Sequence, residues 1–171
     1  MFAGSAFAYG YPRWFTMPIS VYIPKQEEGV VVAGAFKSWQ TGTKSCVRFL
    51  LRNSKNLASI SNINVVFVDA PINDKLYFVR HRFSQFGGCR NCGNRFYNNS
   101  DIIISLKDKD GKDLSTSQLR AVAIQAVGRA VGLNLNEDKN SVMYEETDFS
   151  NSSITPDAVQ SVYNLYKPSR R

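Results

Sequence analysis

The chain has 171 residues, 43% hydrophobic and 20% charged, with 21 Lys and Arg against 14 Asp and Glu for a formal net charge of +7. That is ordinary globular composition, enough chain for one domain with a single core, and no apolar run approaches the length of a membrane-spanning helix. The basic balance favours acidic partners in general, but the cations are scattered and match no helix-turn-helix, RNP or zinc-finger pattern.

The opening "MFAGSAFAYGYPRW" lacks the basic start and apolar centre of an intact signal peptide, so residues 1–13 are expected to form an arm or remnant. Residues 14–167 are expected to form one domain and 168–171 a basic tail. "MPISVYIP" alternates Ile19, Val21 and Ile23 against Ser20 and Tyr22, which predicts a half-buried strand. "EEGVVVAGAFKSWQTG" sets Val32, Ala35, Phe36 and Trp39 on one helical face, with acids at its start and Gly42 just past its end. "CVRFLLR" alternates Val47, Phe49 and Leu51 against Arg48 and Arg52 and predicts a second strand. "INVVFVDA", Ile63 to Ala70, is apolar on both faces and so predicts a central strand.

From Leu76 to Asn99 the pattern is less regular; "LYFVRHRF" predicts a short strand followed by a loop. "DIIISL", Asp101 to Leu106, predicts a buried strand, ended by a charged turn in which Asp108 and Asp110 are solvated. A helix starts at Ser115, with Gln118 at capping-box spacing, and Gly132 is placed to end it. A last helix starts with Thr155 as cap and Pro156 in the first turn. The order predicts an α/β (α+β) domain: a mixed, twisted sheet with three helices and a parallel strand pair at its start.

Three cysteines are present. Cys89 and Cys92 lie in the glycine-rich loop "FGGCRNCGN", as a possible disulfide or free thiols; Cys46 is expected to pack as a small apolar residue at a strand start. A closed zinc site would need all three with His81, the only histidine, and no spacing forces them together.

Inside the first C-terminal helix, Gly128 sits where glycine costs about 1 kcal/mol against alanine. The run from Gln125 to Leu135 reads Gln-Ala-Val-Gly-Arg-Ala-Val-Gly-Leu-Asn-Leu, and "SVMY" carries Met143 eight residues after Leu135. This spacing resembles the metzincin signature H-E-x-x-H-x-x-G-x-x-H with its Met-turn, and among metzincins it is most similar to the matrixins. "RWFTMPISVYIP", "AFKSWQ", "INVVFVDA", "DIIISL" and "ITPDAVQSVYNLY" resemble further matrixin elements, so the likeness spans Arg13 to Tyr166.

The resemblance implies a zinc metallopeptidase catalytic domain with a degenerate site. Two histidines four apart and a third beyond a glycine turn would hold zinc, and a glutamate beside the first would take a proton from metal-bound water. Gln125, Arg129 and Leu135 stand at the vestigial ligand positions and Ala126 at the vestigial general-base position. An amide is a poor ligand, a guanidinium offers no lone pair and leucine no donor, so zinc is expected for the family but not for this sequence, and no other cofactor is implied.

Met143 and Tyr144 would form the Met-turn, with Met143 as a packing floor. Arg129 either fills the old metal position, paired with Glu137 or Glu145, or faces the groove with Tyr144 as a cleft-binding residue. The expected function is a pseudopeptidase binding a peptide or protein in the old substrate groove, along an edge strand preceding Asp101. The alternatives are an inactivated or redesigned zinc metalloendopeptidase domain and a basic surface module for anionic partners. Secretion or a periplasmic location is implied by the resemblance alone.

Overall fold

The computed structural model describes residues 12–84, 96–147 and 149–166. Along the chain run β1 (Arg13–Trp14), β2 (Ile19–Tyr22), α1 (Glu27–Gly42), β3 (Phe49–Arg52), a short 3-10 helix (Lys55–Ile60), β4 (Ile63–Val68), β5 (Tyr77–Ser84), β6 (Phe96–Ser105), α2 (Thr116–Ala130) and α3 (Pro156–Tyr166). The strands form one mixed sheet in the order β1-β6-β4-β2-β3. These pairings are all parallel, including the expected pair β2 and β3 around α1. β5 runs antiparallel along β6, and because Ser100 to Ser105 already pair with β4, β5 takes the opposite edge of β6.

Alternation places the core. Ile19, Val21, Ile63, Val65, Ile102 and Ile104 are buried, and the registers Val21↔Ile63 and Val65↔Ile102 put them on one face of the sheet. α1 and α2 pack on each other and join this face through Val32, Phe36, Trp39, Val122 and Val127. Each large side chain so buried contributes about 1.5–3 kcal/mol. Trp39 Nε1 donates to the Ile124 carbonyl at 2.8 Å, so the bulkiest core residue also satisfies its polar atom.

Three expectations change. β4 is central, but Val66 is 43% exposed, so only one of its faces is covered. β6 begins at Phe96, five residues before "DIIISL", because β5 and β1 give that earlier segment partners. Gly42 is the last residue of α1 rather than the residue beyond it, and Thr43 caps the helix through its backbone. Cys89 and Cys92 lie outside the described residues. Cys46 is a free, half-buried thiol packed against the core, three residues before β3, and burial pushes its pKa up.

Candidate functional site

α2 starts as its sequence predicts. Ser115 Oγ accepts from the Gln118 N–H at 3.3 Å, and Gln118 Oε1 accepts from the Ser115 N–H at 2.9 Å, closing the capping box. From Ala121 to Gly128 every residue is buried, so no polar face survives on these two turns. Gly128 is required there by contact: a Cβ would lie 2.5 Å from Met143 Sδ and 2.8 Å from Trp39 Cζ2. Met143, 2% exposed, therefore sits directly against the glycine.

Beyond α2 the chain turns at Gly132, whose φ is +109°, a region that favours glycine. The Leu133 N–H then bonds back to the Gly128 carbonyl at 3.0 Å. The returning chain locks to the methionine segment: Asn136 N–H donates to the Met143 carbonyl and Glu145 N–H to the Asn136 carbonyl, both at 2.8 Å. Ser141, nearly fully buried, donates to Asp157 at 2.7 Å and ties this loop to the start of α3.

Gln125 joins helix and loop. Its Nε2 donates to the Tyr144 carbonyl, and its Oε1 accepts from Thr147 Oγ1 at 2.9 Å. With Ala121, Tyr144, Glu146 and Thr147 it lines a shallow surface depression without the enclosed volume of a ligand pocket. Thr147 is a partner that sequence spacing gave no means of finding. Gln125→Leu, which keeps the volume and removes both bonds, is expected to cost about 1–3 kcal/mol. Protection of the 144–147 amides from hydrogen exchange should fall with it.

Arg129 does not have the expected carboxylate partner. Its Nη1 donates to the Leu133 carbonyl at 2.6 Å and Asn134 Oδ1 at 3.3 Å, while Glu137 and Glu145 are exposed. The carbonyl is nearer than either acid because the Gly132 turn folds Leu133 back over the helix end. Leu135 is half-buried against the core, one residue before the Asn136–Tyr144 bridge. Ala126 is fully buried, and Tyr144 is half-buried.

His81, on β5, completes the cluster. Its Nε2 faces the Arg129 carbonyl at 3.2 Å and its Nδ1 faces Ser100 Oγ at 2.6 Å; its ring stacks on Tyr97 with centroids 3.9 Å apart. A carbonyl only accepts, so Nε2 carries the proton and Nδ1 accepts from the Ser100 hydroxyl. Burial lowers the His81 pKa to about 4, opposed by its bond to the Arg129 carbonyl and aided by the Arg129 charge. Burial pushes Tyr97 up to about 12, against the pull of the same guanidinium. Alternation within "LYFVRHRF" carries the signal for this placement, since it sets His81 on the same face as Tyr77 and Val79. Ser100 is fully buried, its hydroxyl committed to His81.

The folded His81 pKa lies below its ordinary 6.5, so only the unfolded chain takes up this proton as pH falls below 6.5. The stabilisation present above that pH is therefore lost between pH 6.5 and about 4, amounting to about 2 kcal/mol after allowing for solvent screening. Urea denaturation at both ends of the window should show native protein losing this much more stability than His81→Leu.

The residues at positions 125, 129 and 135 do not fit zinc. The Gln125 amide is committed to Tyr144 and Thr147, Arg129 is cationic and Leu135 has no donor atom. Among the described residues no group of three or more His, Cys, Asp and Glu is arranged to hold a metal ion.

No family model matches the chain, and no curated protein matches it. Among solved structures it is similar to high choriolytic enzyme 1, a hatching enzyme zinc-protease from Oryzias latipes (medaka fish). The two are 12% identical over 97% of this chain and 98% of that one, with a TM-score of 0.47. At that level neither activity nor metal is transferred to this chain.

Proposed function

We propose that this chain is a pseudopeptidase of matrixin-like descent that has no zinc chemistry and binds an extended peptide or protein segment beside β5. The observation that carries this reading is the edge of β5: it pairs only with β6 among the described residues, leaving its outer backbone groups open to an added strand. The half-buried Arg129 stands close enough for its charge to act on Tyr77 and His81 of that strand, and it has no ion-pair partner among the described residues. A guanidinium so placed suits a carbonyl or carboxylate of the bound segment. The spacing from Gln125 through Gly132 to Met143 supports descent from a zinc peptidase, and the residues at the ligand positions support loss of its chemistry. Secretion or a periplasmic location is part of the same proposal.

Arg80, Arg82 and the bulge between Arg82 and Phe83 discourage pairing with arbitrary strands. Selectivity for a segment carrying acidic groups follows. Titrating the labelled full chain with extended peptides ending in a free carboxylate or an amide should shift the β5 amides, with the carboxylate form tighter. Arg129→Ala should weaken it by about tenfold or more. Full affinity retained by Arg129→Ala would exclude Arg129 from the site, and unshifted β5 amides would remove the edge-strand reading.

A further inference from the structure

On the sheet face opposite the core, strand registers assemble two rows of side chains. Arg52, Tyr22, Asn64, Asp101 and Arg80 pair in sequence across β3, β2, β4, β6 and β5. Beside them Val66, Ile103 and Phe78 form an apolar row. Val66 is 43% exposed and Phe78 45%, with Ile103 half-buried between them. Contiguous exposed apolar residues rimmed by charge mark interaction surfaces.

The charge on this face is one-sided. Asp101 serves two guanidinium groups, Arg80 at 2.6 Å and Arg82 at 3.7 Å. Arg52 has no ion-pair partner among the described residues, so three cations in these positions share one carboxylate. Two polar atoms in the row are also unsatisfied: Arg52 Nε and Asn64 Oδ1 are buried without a hydrogen-bond partner among the described residues. They flank Tyr22 on neighbouring strands, and buried groups left in that state are uncommon.

We infer that this open face docks an acidic, amphipathic segment of a protein partner. Its carboxylates meet Arg52 and Arg82, and its apolar side chains cover Val66, Ile103 and Phe78. A second copy of the chain is disfavoured because it would bring the same excess of cations to the contact. Aliphatic side chains dominate the apolar row, which suits a packed protein surface better than the aromatic stacking that single-stranded nucleic acid requires. The face lies across the sheet from α2 and shares β5, carrying Arg80 and Arg82, with the proposed groove; Arg52 and Val66, on β3 and β4, belong to this face alone.

The probe is a fluorescent helical peptide with leucines on one side and glutamates on the other, titrated into the full chain by anisotropy. Saturable binding that weakens at higher salt is expected. Arg52→Leu and Val66→Lys should each weaken it by about tenfold, whereas the surface control Arg120→Leu should not. Val66→Lys adds a positive charge, so tighter binding by this variant would reveal unspecific charge attraction and overturn the proposal. Phe78→Lys, checked for an unchanged thermal transition, provides a second variant at an exposed site and should also weaken binding. The proposal is likewise overturned by no binding, or by tighter binding of poly-uridine RNA or phosphatidylserine vesicles through the same residues.

Discussion

Gly128→Val is expected to destabilise the fold by about 3 kcal/mol or more, even though Gly128 lies inside a helix. Helix propensity argues the other way, because most residues gain up to about 1 kcal/mol over glycine in a helix interior. Packing decides. The first added carbon already falls 2.5 Å from Met143 Sδ and 2.8 Å from Trp39 Cζ2. Methionine can shift, but Trp39 is fully buried with its Nε1 bonded to the Ile124 carbonyl at 2.8 Å, so it has no free space to enter. Gly128→Ala meets the same two atoms with less bulk and keeps the propensity gain, so a loss of about 1–2 kcal/mol is expected. Urea denaturation followed by tryptophan fluorescence measures both. An alanine variant more stable than the parent would show that Met143 is not tightly seated against the helix.

Gly132→Ala is expected to cost about 2–3 kcal/mol for two separate reasons. The backbone there has φ +109°, which side chains rarely adopt, and a Cβ would lie 2.8 Å from the Pro12 carbonyl oxygen and 3.0 Å from Leu165 Cδ2. Backbone atoms cannot give way as a side-chain tip can. The substitution therefore strains the helix exit and its contact with the chain before β1 together. The Arg129 bond to the Leu133 carbonyl should loosen with it, since that carbonyl is positioned by this turn. Gly132→Asn provides a control for the backbone component, and a melt in which neither variant differs from the parent would contradict the geometry.

Much of the framework is legible from side-chain periodicity. The face Val32, Ala35, Phe36 and Trp39 is buried as its spacing requires, and the Ser115–Gln118 pair closes its capping box. β4 misleads because a run such as "INVVFV" looks the same whether one or both faces are covered; which face stays open depends on where the helices pack. The bulge after Arg82 is similarly silent in sequence, yet it brings Phe83 to within 5.5 Å of Tyr97, ring to ring. At the site, spacing locates Gln125, Arg129 and Met143 on one stretch of chain. It does not reveal that Arg129 bonds a carbonyl four residues on, or that Gln125 bonds Thr147. Those partners depend on the path of the loop after Gly132, and loop paths follow from tertiary contacts rather than from periodicity.

Zinc content, measured in purified parent protein and in the fourfold variant Gln125→His, Ala126→Glu, Arg129→His and Leu135→His, tests most directly whether this helix and turn are a peptidase frame without its ligands. The parent should carry no stoichiometric zinc after dialysis against the metal. The variant should bind one zinc ion per chain, because the restored histidines supply the three imidazoles of a catalytic zinc site. Stoichiometric zinc bound by the parent at this helix, or a folded variant that binds none, would contradict it.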